Sequence, residues 1–136
     1  MVVAENANER LVLQWFDRLS AGDFEALRGM LHPAATWKVQ VNGVQGAGVH
    51  RGATGIIDEF LKPVRLGLFQ EGDPKILLDT LISKGALVVA ESRGVGHMKN
   101  GTEYSNLYCW VLEVRDAKIF AVREYMDSYY VSTLKP

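Results

Sequence analysis

The chain has 136 residues, of which 48% are hydrophobic and 23% are charged, a balance typical of globular proteins and not of disordered ones. Its 15 basic and 16 acidic residues give a formal net charge of -1, and the sequence contains no basic run, so we expect no nucleic-acid partner. The length indicates one domain, which we assign to residues 1–136.

Cysteine, histidine and apolar patterns exclude further classes of protein. The single cysteine, Cys109, cannot form an internal disulfide, and no pair of the three histidines has metal-ligand spacing, so we expect no metal. No apolar run approaches the roughly 18 residues of a membrane helix, and the polar N-terminal segment does not resemble a signal peptide. We therefore expect a cytoplasmic protein with no membrane partner.

The first half of the chain predicts helices. Asn6 can cap the first helix, with Glu9 at the spacing of a capping box. The buried face of this helix is formed by Leu11, Val12, Trp15, Phe16 and Leu19. Gly22 favours its end, and Asp23 can cap a second helix that ends before Pro33.

The next segments alternate between strand, loop and helix. Residues 35–41 alternate like a strand, residues 42–53 form a glycine-rich loop, and residues 54–61 predict a third helix that Pro63 ends. Four strands then follow with short separators, over residues 75–83, 86–97, 103–114 and 118–128. Helices followed by an antiparallel meander indicate an α+β fold.

The hairpin around Asn100-Gly101 carries the candidate site. This dipeptide is the strongest short signal for a two-residue type I′ turn. Such a turn places Glu91 opposite Trp110 and Arg93 opposite Tyr108. The shared face then consists of Glu91, Arg93, Val95, His97, Tyr104, Asn106, Tyr108 and Trp110. A large face that is both aromatic and polar is typical of the wall of a ligand cavity.

The orientation of the last strand depends on the turn around Asp116. A two-residue turn would place Asp127 on the face of Tyr108, whereas a three-residue turn would place Glu124 and Met126 there. The residues themselves leave both orientations open.

Three segments resemble the SnoaL-like families of the NTF2-like superfamily. The segment "AGDFEALRGMLHPAATW" is similar to their helix–helix–strand opening, and "HRGATGIIDEFL" is similar to their loop and third helix. The segment "NGTEYSNLYCWVLEVRDAKIFAVREYMD" resembles their closing hairpin. The similarity extends over nearly the whole chain.

This resemblance implies a cone of the cystatin-like kind, in which a strongly bent antiparallel sheet wraps over three N-terminal helices and encloses a pocket. It also implies a homodimer formed through the outer face of the sheet. The superfamily contains ketosteroid isomerases, limonene epoxide hydrolases, scytalone dehydratases, polyketide cyclases and non-catalytic binders. The fold therefore does not assign a reaction.

The resemblance also bears on single residues. The general-base Asp of the isomerases falls at about Val39, so that base is missing here. The epoxide hydrolases carry Tyr-x-Asn where this chain has Trp37 and Val39, and Arg-x-Asp where it has Glu91 and Arg93 in reversed order. Their second Asp falls on Glu124, which favours the three-residue turn and an inward Glu124.

Two functions follow. In the first, a cofactor-independent enzyme acts on a small, mostly apolar, oxygenated molecule by hydration or hydrolysis, isomerisation or cyclisation. Glu91 and Glu124 would move protons or orient water, and Arg93 would orient them. In the second, a binding protein or accessory dimerisation module uses the same cavity without turnover, and these charges fix the barrel. We expect ligand contacts from Trp15, Phe16, Trp37, Val39, Val95, Tyr104, Asn106, Tyr108, Trp110 and Met126.

Overall fold

The computed structural model describes residues 2–134, which form an α+β cone around a bent six-stranded sheet. The helices are α1 (Ala7–Ala21), α2 (Phe24–Met30), a π-helical segment (Thr54–Leu61), α3 (Lys62–Leu68) and α4 (Ser128–Thr133). The strands are β1 (Leu31–Val39), β2 (Gly48–Arg51), β3 (Lys75–Lys84), β4 (Leu87–His97), β5 (Glu103–Arg115) and β6 (Lys118–Met126). The predicted fold class is confirmed.

The sheet has the strand order β2-β1-β6-β5-β4-β3. Neighbouring strands are antiparallel except β1 and β6, which are parallel. The expected purely antiparallel sheet is therefore mixed at this one pairing. The parallel pairing brings the N-terminal strand beside the last strand of the chain.

The predicted caps of the first two helices are confirmed. The Asn6 Oδ1 atom accepts a hydrogen bond from the backbone N–H of Glu9 at 2.9 Å. Gly22 ends α1 with a φ of 69°, a left-handed conformation that favours glycine. The Asp23 Oδ1 atom accepts from the backbone N–H of Ala26 at 3.2 Å and begins α2.

The third helix continues beyond its predicted end. Pro63 lies in the first turn of α3, where a missing backbone N–H costs least. Just before it, the backbone N–H of Lys62 bonds to the carbonyl of Ile57, which closes a wide π turn. The prediction that Pro63 ends the helix is wrong because this wider turn precedes the proline.

Several predicted strand bounds also change. The strand predicted over residues 118–128 ends at Met126, since Asp127 caps α4 by accepting from the backbone N–H of Tyr130 at 3.1 Å. The first strand begins at Leu31, and β2 lies inside the loop predicted over residues 42–53. The other strands begin and end within one residue of the prediction.

The hairpin between β4 and β5 differs from the predicted two-residue turn. The backbone N–H of Met98 donates to Thr102 at 2.8 Å, so residues 99–101 form a three-residue loop. Gly101 has a φ of 87°, whereas Asn100 is not among the residues with positive φ. A type I′ turn needs positive φ at both central residues, so the Asn-Gly signal gives a longer loop here.

The longer loop shifts the pairing by one residue. Glu91 lies opposite Cys109 and Arg93 opposite Leu107, while Ser92 lies opposite Tyr108. A shift by one residue moves every side chain to the other face of a strand. The prediction that Glu91, Arg93 and Val95 share a face with the aromatic residues of β5 is therefore wrong, because these three lie on the outer face.

A bulge in β6 decides the orientation of the last strand. The turn consists of two residues, Asp116 and Ala117, because Arg115 pairs with Lys118. Val114 still pairs with Ile119, but Glu113 pairs with Ala121, so Phe120 has no residue opposite it. This extra residue changes which side chains of β6 face inward, as a three-residue turn would have done.

Beyond this bulge, Glu124 lies opposite Trp110 and Met126 opposite Tyr108, both on the inner face. The expected inward orientation of Glu124 is thus confirmed, although the expected three-residue turn is wrong. The Phe120 ring is held between His32, at 5.0 Å between ring centroids, and the Arg115 guanidinium, 3.7 Å from the ring centroid.

The main core lies between the helices and the concave face of the sheet. Trp15 and Phe16 of α1 are fully buried in it. Their rings lie 6.1 Å from Trp37 and 5.2 Å from Trp110, respectively. Within residues 2–134, no helix combines the length and apolar character needed to span a bilayer.

The β5–β6 turn provides a test of the register. Asp116 and Ala117 have φ values of 54° and 56°, which strain any residue with a Cβ atom. We expect Ala117→Gly to raise the free energy of unfolding by about 0.5 to 1 kcal/mol, measured by urea denaturation.

The matched control is Ala86→Gly in the turn between β3 and β4, where Ala86 is not among the residues with positive φ. This change should be neutral or destabilising, since glycine only adds flexibility there. Equal effects of the two substitutions would contradict the two-residue turn at Asp116.

Candidate functional site

A partly open cavity lies between the concave face of the sheet and the helices. It has a volume of about 170 Å³, and we call it the inner chamber. The sequence-predicted residues that line it are Trp37, Val39, Tyr104, Tyr108, Trp110, Glu124 and Met126. Most of its wall is apolar or aromatic, which is typical of small-molecule sites.

The remaining predicted site residues lie elsewhere. Asn106 is buried beside the chamber and contacts Tyr104, whereas Trp15 and Phe16 belong to the core behind it. Arg93 lies on the outer face, where its Nη2 atom is 3.0 Å from the Asp79 carboxylate. The expected convergence of Glu91, Arg93 and Glu124 in one pocket is therefore wrong, and Glu124 alone of the three reaches the chamber.

Glu124 supplies the carboxyl group of the chamber. Its exposed fraction is 7%, and its Oε1 atom accepts a hydrogen bond from the Trp37 indole N–H at 2.8 Å. Burial raises the pKa of Glu124 from 4.5 to about 7, and the bond from Trp37 opposes this shift only in part. A carboxyl group with such a pKa can give or take a proton near neutral pH.

A chain of hydrogen bonds ends at Tyr108. The Asn106 side-chain amide donates to the Tyr104 hydroxyl at 3.1 Å, and the Tyr104 and Tyr108 hydroxyls share a short hydrogen bond. If Tyr104 donates to Tyr108, the Tyr108 hydroxyl retains its own proton for a ligand. Burial raises the pKa of Tyr108 well above 10, and the charges of Tyr104 and Glu124 raise it further, so this hydroxyl stays protonated.

Aromatic rings form one side of the chamber. Tyr108 stacks on Trp110, with 5.2 Å between ring centroids and 13° between planes. Trp37 meets Trp110 edge to face at 5.7 Å and Phe60 at 5.5 Å. These contacts fix the Trp37 ring whose N–H bonds to Glu124.

Gly94 is a site residue that the sequence prediction missed. It lies on the inner face opposite Asn106, and a Cβ atom there would come within 2.9 Å of the Tyr108 ring. A side chain would therefore displace the ring that carries the donor hydroxyl. The only sequence signal was a glycine inside a strand, which often marks a close approach.

Half of the other missed lining residues come from α1, the π-helical segment and α3. They are Leu19, Phe60, Leu61, Val64, Arg65 and Leu68. Phe60, Val64 and Leu68 follow one another at a spacing of four, which predicts one helical face. That signal was hidden because Pro63 predicted an end to the helix.

Arg65 brings a guanidinium group to the chamber wall. It donates to the carbonyls of Leu19, Ser20 and Pro74 at 2.8, 2.9 and 3.2 Å. Burial lowers its pKa, while the carbonyls at the C-terminal end of α1 favour its positive charge. Among the described residues Glu124 makes no ion pair with Arg65 or any other cation, so its charge is not compensated.

Comparison with solved structures assigns the architecture. The structure is similar to TerC co-crystallized with polyporic acid, at 21% identity, a TM-score of 0.81, and coverage of 95% of this chain and 98% of that one. It is also similar to an NTF2-like protein from Burkholderia thailandensis E264, at 19% identity, a TM-score of 0.82, and coverage of 97% of this chain and 100% of that one. A third similar structure is an LEH-like epoxide hydrolase from M. tuberculosis, at 19% identity, a TM-score of 0.70, and coverage of 90% of this chain and 84% of that one. The bent sheet and its internal chamber therefore define an NTF2-like fold.

Sequence comparison assigns the family. The family model of the SnoaL-like domain matches residues 12–122, so the chain belongs to the SnoaL-like family. None of the curated proteins compared with the chain matched it in sequence. Within residues 2–134, no three His, Cys, Asp or Glu side chains lie where they could hold a metal ion together.

The raised pKa of Glu124 predicts a pH-dependent stability. Between pH 4.5 and about 7 the folded chain keeps a proton that the unfolded chain loses, so the wild type loses stability as pH rises through this window. Glu124→Gln removes this loss and still provides an oxygen acceptor for Trp37. We expect the stability of the variant relative to wild type to rise by on the order of 2 to 3 kcal/mol from pH 5 to pH 8, measured by urea unfolding.

The matched control is Glu91→Gln, which changes an exposed carboxyl on the outer face of β4. This variant should follow the pH profile of the wild type. Parallel profiles for wild type and Glu124→Gln would contradict the buried, uncompensated state of Glu124.

Proposed function

We propose that the protein binds a small, mostly apolar organic molecule with one oxygen-containing group, and that Glu124 exchanges a proton with it. The observation that carries this proposal is the buried carboxyl group of Glu124 at the wall of an otherwise largely apolar chamber. Structural carboxylates are normally paired with a cation or several donors, whereas the described part of the chain gives Glu124 one neutral donor, Trp37.

The chamber volume limits the ligand. An apolar cavity of about 150 Å³ is known to hold a benzene molecule. The inner chamber, at about 170 Å³, therefore suits one ring and a small substituent. A ketone, an enol or an epoxide on such a ring would offer its oxygen to the polar residues of the wall.

Glu124 and Tyr108 have complementary roles in this proposal. Glu124 takes a proton from the carbon next to the ligand oxygen, or returns one, and the Tyr108 hydroxyl donates to the oxygen that gains negative charge. The chemistry needs no cofactor, and it serves isomerisation, cyclisation and hydration alike. One structural neighbour was co-crystallized with polyporic acid, which supports an organic ligand. Another is an LEH-like epoxide hydrolase, which supports hydrolysis as a further candidate reaction.

Binding of a ketone tests the site without knowledge of the natural substrate. Acetophenone, which has one ring and one carbonyl, should bind less tightly as pH rises from 6 to 8, because an apolar ring in the chamber excludes water from Glu124 and so disfavours its charged form. Glu124→Gln should bind it within severalfold of the wild type at pH 6 and show no such pH dependence. Calorimetric titration measures both, and pH-independent binding by the wild type would contradict the assigned role.

Proton exchange tests the catalytic part of the proposal. In D₂O near neutral pH, the protein should accelerate the exchange of the methyl protons of acetophenone for deuterium, followed by proton NMR. Glu124→Gln should lower the rate by a factor of about 100 or more, the range of general acid–base catalysis. Arg93→Met, on the outer face, is the matched control and should keep the wild-type rate.

The alternative, a binding protein without turnover, predicts a different result. In that case acetophenone binds with the expected pH dependence, yet exchange in the presence of the protein equals that in buffer. That outcome would contradict an enzymatic role and leave the ligand site in place.

The outer face of the sheet suits a second copy of the chain. It carries exposed apolar side chains, namely Leu77, Ile82, Leu87, Leu107 and Tyr125. Such a patch is typical of an interface, and a twofold dimer would cover it on both copies. We expect Leu107→Asp to shift the mass measured by sedimentation equilibrium towards the monomer. Leu66→Asp, at a similarly exposed leucine of α3, should leave the mass unchanged.

A further inference from the structure

A second space lies outside the inner chamber. It is an open groove of about 640 Å³, bounded by residues 42–45 on one side and by α4 on the other. We call it the outer groove. Val44, Gln45, Leu68 and Val131 line both spaces, so the groove and the chamber meet at these four side chains. A ligand that extends from the chamber past these side chains reaches the groove.

The α4 side of the outer groove is held in place by several contacts. The α4 helix is capped by Asp127, and the Tyr130 hydroxyl accepts from the Ser105 backbone N–H at 3.0 Å and donates to the Glu103 carbonyl at 3.3 Å. The Tyr130 ring also contacts Tyr104 at 5.8 Å between centroids. The α4 helix is therefore attached to β5 beside the hydrogen-bond chain of the chamber.

The two spaces differ in chemistry. The lining of the groove includes the polar side chains of Asn42, Gln45, Ser128, Tyr129 and Ser132, and none of the described residues that line it is charged. Within residues 2–134, no side chain or backbone group bonds to the amides of Asn42 and Gln45, so both are free to bind a ligand. This lining suits hydroxyl, ether or amide groups and does not compensate an ionic group.

We propose that the outer groove is a second ligand subsite, which holds a neutral polar extension of a molecule whose ring occupies the inner chamber. The inference rests on the proposed function, since it takes the chamber as the site of the ring. The chamber holds about one ring, whereas the groove has more than three times its volume. The substrate class is therefore a single oxygenated ring that carries a neutral hydroxylated or ether-containing chain.

Three probes separate the two subsites. They are acetophenone, its 4-substituted tri(ethylene glycol) ether, and the same ether ended by a carboxylate. We expect the neutral ether to bind at least tenfold more tightly than acetophenone, and the carboxylate-ended probe to lose most of this gain. Calorimetric titration at pH 6 measures all three dissociation constants.

Two tryptophan substitutions in α4 test whether the outer groove is the source of the higher affinity for the neutral ether. Ser132→Trp fills the groove and should remove the advantage of the neutral ether, while acetophenone binding stays within twofold of the wild type. Thr133→Trp changes an exposed neighbour that is not part of the groove lining, and it should keep the advantage. Unchanged acetophenone binding also shows that each variant is folded.

The outcomes keep this inference apart from the proposed function. Equal affinities for acetophenone and its neutral ether, or an advantage that survives Ser132→Trp, would overturn the outer subsite. A gain for the carboxylate-ended probe equal to that for the neutral ether would overturn its selectivity for neutral groups. Wild-type acetophenone binding that does not change with pH would instead overturn the proposed function, and the comparison of the three probes does not test that dependence.

Discussion

The position of one unpaired residue in β6 decides the chemistry of the cone. The turn at Asp116 and Ala117 has two residues, and pairing without a bulge would turn Glu124 to the outer face. Because Phe120 has no residue opposite it, the strand advances by one position and Glu124 lies opposite Trp110 inside the cone. The contacts of Phe120 with His32 and Arg115 hold this bulge in place.

Burial then gives Glu124 its acid–base character. The parallel pairing of β1 with β6 brings Trp37 to the carboxyl group, and its indole N–H supplies a neutral donor at 2.8 Å. Since burial disfavours the charged form and none of the described residues pairs a cation with it, the pKa of this carboxyl rises to about 7. Burial also raises the pKa of Tyr108, and because this pKa lies well above 10, the hydroxyl stays protonated. A carboxyl group with a pKa near neutrality and a hydroxyl that stays protonated together support the proposed chemistry.

Predictions that depend on residues close together in the sequence were correct, whereas predictions that depend on the pairing of distant strands were often wrong. The caps of α1 at Asn6 and Gly22 depend on nearby residues and were predicted correctly. The placement of Glu91 and Arg93 depended on the length of one loop, and Asn100-Gly101 gave the wrong length because a type I turn ended by a left-handed glycine uses the same dipeptide. The helix beyond Pro63 was missed because a π turn has no sequence signature of comparable strength.

The sequence by itself determined the α+β class, most element positions and the set of β5 residues that share a face, from Tyr104 to Trp110. Alternation with a period of two groups these residues whatever the register is. Only the tertiary structure decided that this face meets Ser92 and Gly94 instead of Glu91 and Arg93, since a shift of one residue exchanges the faces of a strand. It also decided the pKa of Glu124, because the residues that bury this carboxyl come from segments far apart in the chain.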